Sequence, residues 1–292
     1  MSDVTPVMSP LAPPSPTPPL STLRVALMQT APRLGDVEHN LAELHRELEA
    51  LGDHADVAVA SELALHGYHI GRVPDIGPMS ADDPRLTALG HHGPAVVAGF
   101  VETDGTLRYN SAAIVDNGQT AVQRKLYLVQ YRDWVEQDWF HPGDMLDVHA
   151  IRGASVSVLV CNDLWQPHLP WLAAHSGAEV LVVVANSVHS ISAVPVQRAW
   201  QVLLVHAAVA LQCYVVFVNR SGEECDQQFW GGSCVVGPDG EIMAQLGADA
   251  ETAVVELDLT ALRILRTEWP LLTHSRFDLV AAESARRATQ KV

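Results

Sequence analysis

Short apolar runs alternate with amphipathic segments from residue 22 onwards. Residues 23–29 (LRVALMQ) form an apolar run, which predicts a buried strand. Leucines recur at helical spacing within residues 37–51, which predicts an amphipathic helix. Further strands are predicted at residues 56–60, 95–102, 108–115, 155–160, 180–185, 213–219, 233–236 and 241–245, and a further helix at residues 197–211.

Two pairs of predicted strands are joined by sequences typical of tight hairpins. These are Asp116-Asn117-Gly118 and Pro238-Asp239-Gly240. Asparagine and glycine adopt a positive φ with little strain, so they favour such turns. Because hairpins add antiparallel strands to an alternating strand and helix pattern, we expect mixed sheets in an α/β domain. The pattern alone leaves the number of layers open.

The two ends of the chain differ from the middle. Residues 1–21 contain seven prolines between Pro6 and Pro19, which predicts a disordered tail. They lack the basic start and apolar run of a secretory signal. A docking motif for a proline-binding partner is the alternative interpretation. We expect one domain at residues 22–280 and a C-terminal tail at residues 281–292.

Composition excludes several classes of protein. The 292 residues carry 34 acidic and 18 basic side chains, a net charge of −16, which argues against nucleic acid and anionic membrane surfaces as partners. No apolar run reaches the roughly 18 residues that a membrane helix needs. The four cysteines show no CxxC spacing, so we expect neither a zinc knuckle nor a redox dithiol, and a reducing, cytoplasmic location.

Three reactive side chains follow predicted strands. Glu62 follows the strand VAVA, Lys125 follows TAVQR, and Cys161 follows SVSVLV. Ligand sites in open α/β sheets form beyond the carboxyl ends of strands. A thiolate can attack an amide carbon, a carboxylate can move the proton, and an ammonium group can stabilise the oxyanion. This spacing alone leaves other interpretations open. Cys161 could be a buried structural cysteine, Glu62 a turn-capping glutamate and Lys125 a surface lysine.

Six segments, taken in order, resemble motifs of the nitrilase superfamily of carbon–nitrogen hydrolases. The resemblance extends from about residue 23 to residue 279. The segments are residues 24–29 (RVALMQ), 61–68 (SELALHGY), 124–128 (RKLYL), 136–143 (EQDWFHPG), 161–165 (CNDLW) and 266–279 (RTEWPLLTHSRFDL).

The resemblance implies a fold, a reaction and a set of residues. The fold would be a four-layer α-β-β-α sandwich with two mixed sheets. The enzyme would be an amidase that uses a thiol nucleophile and needs neither a metal nor an organic cofactor. The catalytic residues would be Cys161 as the nucleophile, Glu62 as the general base, Lys125 as the oxyanion donor and Glu136 as a second glutamate. The substrate-binding residues would be Tyr68, Asn162, Trp165 and Asn186.

Within the superfamily, the chain most resembles the glutaminase domain of glutamine-dependent NAD synthetases. The resemblance rests on the segments ELALHGYHIGRV, CNDLW and VNRSG. No Ser-Gly-Gly-x-Asp-Ser phosphate loop follows, so we expect a stand-alone amidase. Its partners would be a small-molecule amide and further copies of itself, in a homodimer or larger assembly. A nitrile or N-carbamoyl amide hydrolase using the same residues is one alternative. A catalytically inactive family member acting as a binding or scaffold protein is another.

Overall fold

The computed structural model describes residues 21–131, 134–189 and 195–289. The predicted proline-rich tail therefore lies outside the described residues, apart from Ser21. Within the described ranges no helix is both long and apolar enough to cross a bilayer.

Strands and helices alternate along the chain, as the sequence pattern predicts. The strands are β1 Thr22–Gln29, β2 Val57–Ala60, β3 Ala95–Thr103, β4 Arg108–Asp116, β5 Gln119–Arg124, β6 Gln130–Tyr131, β7 Trp134–Val135, β8 His149–Ile151, β9 Ala154–Val160, β10 Val180–Ala185, β11 Tyr214–Asn219, β12 Ser221–Glu224, β13 Gln227–Trp230, β14 Cys234–Val236, β15 Ile242–Gln245 and β16 Glu251–Asp258. The α-helices are α1 Val37–Leu51, α2 Pro84–Leu89, α3 His168–His175, α4 Val196–Leu211, α5 Leu259–Glu268 and α6 Phe277–Ala288.

Two six-stranded mixed sheets form the centre of the molecule. The first has the order β16-β1-β2-β3-β4-β5, with β1, β2 and β3 parallel to one another. The second has the order β15-β14-β11-β10-β9-β8, with β9, β10 and β11 parallel. Antiparallel strands complete both sheets. In the hairpin between β4 and β5, Asn117 and Gly118 have φ values of 49° and 74°, which the sequence there predicts.

Apolar side chains fill three layers. Between the sheets, valines of β9 and β10 face apolar residues of β1 and β2. The outer face of the first sheet packs on α1 and α2, through residues such as Leu44 and Leu48. The outer face of the second sheet packs on α3 and α4, through residues such as Leu204 and Ala208. The predicted four-layer α-β-β-α sandwich is therefore confirmed.

The segment predicted as a C-terminal tail, residues 281–292, begins within a helix. The expected boundary at residue 280 falls inside α6, so the segment predicted as a tail is helical as far as Ala288. The ring of Phe277 lies 4.8 Å from that of Trp171 on α3, which anchors the start of this helix. No α6 residue is buried, so the burial pattern that identifies core helices is missing from its sequence.

Candidate active site

The candidate catalytic residues follow strands of both sheets. Glu62 follows β2 and Lys125 follows β5, both in the first sheet. Cys161 follows β9 and Asn186 follows β10, which are neighbours in the second sheet. Glu136 begins a short 3-10 helix after β7. The docking of the two sheets therefore brings together residues that are up to 124 positions apart, from Glu62 to Asn186.

The Glu62 turn packs directly on the backbone of β3. Ser61 O accepts a hydrogen bond from Gly99 N at 3.1 Å, and Gly99 O accepts one from Leu65 N at 3.0 Å. A Cβ atom on Gly99 would lie 2.2 Å from Leu63 N, so only glycine allows this approach. The carboxylate of Glu62 is fully buried as a result.

Lys125 joins two glutamates. Its Nζ donates to Glu62 Oε1 at 2.8 Å and to Glu136 Oε1 at 2.8 Å. All three side chains are at least 94% buried. Asn110 Nδ2 also donates to Glu62 Oε1 at 2.8 Å, whereas Glu62 Oε2 has no partner among the residues that the structure describes. Within the described part of the chain, one carboxylate oxygen of Glu62 is therefore hydrogen-bonded and the other is not.

Glu136 is held from two further sides. The Tyr68 hydroxyl donates to Glu136 Oε1 at 2.8 Å, and Val129 N donates to Glu136 Oε2 at 2.8 Å. Glu136 does not follow a long predicted strand, and the sequence alone does not place it against Lys125. The structure brings it into the same cluster as Glu62 and Lys125.

Cys161 occupies a constrained turn. Its φ is 49°, a left-handed conformation that costs energy for a residue with a Cβ. The side chain of Asp163 holds this turn by accepting hydrogen bonds from Val160 N, Leu126 N and Tyr127 N at 2.8 to 3.3 Å. Leu126 and Tyr127 directly follow Lys125, so Asp163 ties the cysteine turn to the lysine loop.

Burial controls the proton affinities of the cluster. Burial raises the pKa of Glu62, and the charge of Lys125 opposes that rise. Burial and the nearby Glu62 carboxylate raise the pKa of the Cys161 thiol well above its usual value. Burial opposes the charge of Lys125, but Glu136 and Glu62 together raise its pKa. The resting site therefore combines a neutral thiol with a charged lysine and a carboxylate able to take a proton.

The four predicted substrate-binding residues have different surroundings. Asn186 is 5% exposed, and neither Nδ2 nor Oδ1 has a partner among the described residues. Its backbone N–H forms a hydrogen bond that lowers the pKa of Cys161. Tyr68 is engaged with Glu136. The Asn162 side chain donates to Tyr127 O at 3.0 Å, and Trp165 is 39% exposed with its ring edge on Trp200.

Asn110 and Asp163 support the cluster and were absent from the sequence-based set of site residues. Asn110 lies within the buried run of β4, where the polar pair Asn110-Ser111 is the one signal that the sequence offers. Asp163 lies two positions after Cys161, within the segment CNDLW. Its three backbone donors come from two separate segments, which no local pattern shows.

A cleft of about 280 Å³ opens beside Glu136 and is lined by aromatic rings. The rings of Tyr68 and Trp134 lie 5.1 Å apart, and Trp139 packs on the backbone of Gly71, where a Cβ atom would lie 2.3 Å from the indole. A larger cleft of about 390 Å³ near the start of α1 is lined by none of the four candidate catalytic residues.

His66, four positions after Glu62, predicts a pH dependence of stability. Its Nδ1 accepts from Val101 N at 3.1 Å, and its Nε2 lies 3.2 Å from Gly77 O as a donor. Burial lowers the pKa of His66 to about 4. The unfolded chain, with a histidine pKa of about 6.5, therefore binds more protons than the folded chain between these values. We expect this residue alone to remove up to about 3 kcal/mol of stability as the pH falls through that window.

The pH dependence can be measured by thermal melts between pH 7.5 and 4. His66→Asn keeps an acceptor for Val101 N and removes the titrating ring, so its melting temperature should fall less steeply below pH 6.5. His91→Asn, at an exposed position, is the matched control and should follow the wild type. Parallel curves for wild type and His66→Asn would contradict the assignment.

The chain is similar to a known protein family and to several characterised proteins. A family model described as "Carbon-nitrogen hydrolase" matches residues 24–267. The chain is 31% identical over 264 residues to an (R)-stereoselective amidase of Pseudomonas sp, covering 88% of this chain and 93% of that one. It is 29% identical over 255 residues to the 2-oxoglutaramate amidase of Bacillus subtilis, covering 84% and 94%.

Two further similarities concern a multidomain relative and a solved structure. The glutamine-dependent NAD(+) synthetase of Thermotoga maritima is 31% identical over 255 residues, but the match spans 82% of this chain and only 42% of the synthetase. A mutant structure of an amidase from Nesterenkonia AN1, of the nitrilase superfamily, superposes with a TM-score of 0.75 at 26% identity, covering 90% of this chain and 98% of that one. In another mutant of that amidase, acrylamide has added to the active-site cysteine.

Proposed function

Because this chain belongs to the carbon–nitrogen hydrolase family, it is a hydrolase acting on carbon–nitrogen bonds, and we propose that it cleaves non-peptide amides through a thioester on Cys161. The observation that carries the proposal is the buried Glu62–Lys125–Glu136 cluster with one free oxygen, Glu62 Oε2. Related amidases support the same reaction.

Acylation begins with a proton transfer. The raised pKa of the thiol keeps Cys161 protonated at rest, so Sγ becomes a good nucleophile only as it loses its proton. Glu62 Oε2 is the free carboxylate oxygen for that proton. Sγ attacks the amide carbon, the carbon–nitrogen bond breaks, and Glu62 passes the proton to the departing nitrogen. Ammonia or an amine leaves, and a thioester remains.

Lys125 supplies charge for the oxyanion. An ammonium group has three N–H donors, and Glu62 and Glu136 accept two of them. The third is the donor for the negative charge that develops on the carbonyl oxygen. The backbone N–H of Asn162, directly after the nucleophile, is the second donor in this proposal. Both donors are fixed before substrate binds, so little reorganisation opposes the reaction.

Deacylation uses the same base. Water attacks the thioester carbon while Glu62 takes one of its protons. The carbon–sulfur bond then breaks, Sγ regains the proton, and a carboxylic acid is released. Asn186, with its free amide group beside Cys161, is proposed to hold a polar group of the substrate next to the reacting carbon.

We propose that the acyl group enters the cleft beside Glu136, which is the one candidate catalytic residue among the residues that line it. Its polar side chains are already engaged: Glu136 with Lys125, His69 with Glu224, and Arg72 with Asp226. Its remaining walls are largely aromatic. The cluster of two carboxylates and one ammonium group also disfavours an anionic substrate. We therefore propose neutral primary amides with an aromatic or branched apolar acyl group.

Ammonia release from a matched panel tests this function. The panel contains phenylacetamide, isobutyramide, glutamine, 2-oxoglutaramate, phenylacetonitrile and N-carbamoylphenylalanine. We expect phenylacetamide to give a kcat/KM at least about tenfold above the two amides that carry a carboxylate, glutamine and 2-oxoglutaramate, which is about 1.4 kcal/mol of discrimination. Glu62→Gln, which keeps the side-chain shape, should lose this activity.

The other outcomes of the panel separate the alternatives. Faster turnover of the nitrile or the N-carbamoyl compound would replace the amide proposal by one of the other hydrolase activities. No turnover of any compound, with Cys161 intact, would favour the inactive binding protein. A preference for 2-oxoglutaramate would contradict the apolar acyl group while keeping the amidase.

Assembly and location stay predictions. A homodimer or larger assembly has support from exposed apolar side chains on α4, where Val202 is 52% exposed and Val209 is 43% exposed. The cytoplasmic location continues to rest on cysteine usage alone.

A further inference from the structure

A second buried ion cluster lies behind the loop that follows Glu62. Glu224 is the last residue of β12, and Arg220 precedes that strand. Arg220 Nη1 donates to Glu224 Oε2 at 2.8 Å, and its guanidinium lies 4.2 Å from the ring centroid of Phe229. Arg220 is fully buried and Glu224 is 6% exposed. The proposed chemistry uses neither residue.

Glu224 holds the loop by its backbone. Its carboxylate accepts hydrogen bonds from Tyr68 N at 3.0 Å and from His69 N at 2.8 Å. His69 Nδ1 lies 2.6 Å from Glu224 Oε1. Together with Arg220, these contacts give one buried carboxylate four donor groups. Burial alone would raise the pKa of Glu224, but its hydrogen bond with His69 and the charge of Arg220 lower it to about 2. The carboxylate therefore stays ionised near neutral pH.

Gly67 is shaped to admit this carboxylate. Its φ is +78°, and a Cβ atom there would lie 2.5 Å from Glu224 Oε2 and 2.8 Å from Leu34 Cα. Any side chain at position 67 would displace either the carboxylate or the neighbouring backbone. The glycine and the glutamate therefore fit one another, although 157 positions separate them in sequence.

Tyr68 connects this anchor to the catalytic cluster. Glu224 fixes its backbone N–H, and its hydroxyl donates to Glu136 Oε1, the same oxygen that accepts from Lys125 Nζ. Its ring packs between Trp134 and Phe229, with centroids 5.1 Å and 6.4 Å away. A rigid, closely packed ring transmits a shift of its backbone to its hydroxyl group.

We propose that Glu224 is a positioning residue that acts through Tyr68, setting where the Tyr68 hydroxyl holds Glu136 and hence the direction in which Lys125 presents its free N–H. The proposal rests on the function proposed above. A purely structural ion pair would stabilise the protein without any specific effect on the chemical step. The two possibilities therefore differ in kcat and in the coupling between Glu224 and Tyr68.

The first experiment measures Glu224→Gln against Glu223→Gln, an exposed glutamate next to it on β12. We expect Glu224→Gln to lower kcat about 10- to 100-fold with KM within about threefold, the scale of a misplacement of about 1 Å at an active site. Glu223→Gln should stay within about twofold of wild type. A kcat for folded Glu224→Gln within threefold of wild type would overturn the proposal.

A double-mutant cycle separates positioning from stability. Tyr68→Phe removes only the hydroxyl and should itself lower kcat. If Glu224 acts through that hydroxyl, Tyr68→Phe/Glu224→Gln should lose no more than the worse single variant, because the two changes interrupt one connection. Multiplied losses in the double variant would show that Glu224 acts by another route and would overturn the proposal.

A further variant separates a loss of folding from a loss of positioning. Glu224→Gln leaves Arg220 buried without its counter-ion, which can unfold the chain. Arg220→Met/Glu224→Gln removes both charges and, by the same reasoning, should show the fall in kcat with a melting temperature near that of wild type. Wild-type kcat with this pair would overturn the proposal.

Alkylation of Cys161 gives a readout that does not depend on the substrate. The rate of its modification by iodoacetamide, mapped by peptide mass across pH 5 to 9, should shift its midpoint in Glu224→Gln but not in Glu223→Gln. A shifted profile in a protein that hydrolyses no amide would uphold the positioning role while sinking the proposed function. Superimposable profiles would overturn the positioning role.

Discussion

Replacing Cys161 by alanine is expected to abolish turnover and leave the fold intact. Loss of a nucleophile typically costs three or more orders of magnitude in rate, roughly, because the groups that remain only bind and orient the substrate. The change removes one half-buried sulfur atom and keeps the Cβ atom, so the backbone at φ 49° is not disturbed further. We expect the free energy of unfolding to change by no more than about 1 kcal/mol.

Ammonia release and a thermal melt measured on the same sample test this result. Cys213→Ala is the matched control, because burial raises the pKa of that thiol to about 11 and it lies outside the catalytic cluster. The control should keep its activity. If Cys161→Ala retained activity within tenfold of wild type on a good substrate, the thioester mechanism would be wrong.

The second large effect is expected from Lys125→Met, on both activity and stability. From the sequence alone, Lys125→Met would be expected to remove a charge and leave the fold intact. In the structure, however, Lys125 is fully buried, and its single positive charge lies between two buried carboxylates. Breaking such a pair typically costs about 3 to 5 kcal/mol, because an uncompensated charge stays in the interior. Turnover should be lost as well, since the oxyanion loses its charged donor.

The stability loss should depend on pH in a defined direction. Without the ammonium group, the largest effect that opposes the burial-raised pKa of Glu62 is lost, so the folded state favours the protonated form of Glu62 more strongly than the unfolded chain does. The deficit of Lys125→Met relative to wild type should therefore be larger at pH 8 than at pH 5. The variant Lys125→Met/Glu62→Gln/Glu136→Gln, which removes all three charges, should recover much of the stability and none of the activity. An unchanged melting temperature for Lys125→Met at pH 8 would refute this account.

Hydrophobic patterning was sufficient for the central elements of the fold. Strands β9, β10 and β11 are buried on both faces, so their valine-rich runs stand out, and α1 was predicted at Val37–Leu51 with its observed bounds. Strand β16 was missed because most of its residues are exposed or half-exposed at the edge of the first sheet. The β12–β13 hairpin was missed because its sequence, SGEECDQQFW, is mostly polar and has Cys225-Asp226 at the turn in place of an Asn-Gly or Asp-Gly pair.

Some residues of the candidate site could likewise be predicted from the sequence, and others could not. The positions of Glu62, Lys125 and Cys161 follow from strand ends, which a sequence displays. The roles of Glu224 and Asp163 do not, because each accepts from backbone N–H groups of a distant segment. Any carboxylate of suitable reach satisfies such donors, so the local sequence around it carries no distinctive signal.

The division of the active site between two sheets affects when the protein becomes reactive during its synthesis. Translation completes the segment bearing the base and the lysine before Cys161 leaves the ribosome, yet the thiol meets them only when the second sheet has formed and docked. Until then the thiol lacks the base and the oxyanion donors that amide cleavage requires. A nascent or half-unfolded chain therefore does not turn over amides, and catalytic activity in a cell extract reports the fraction of molecules whose two sheets have docked.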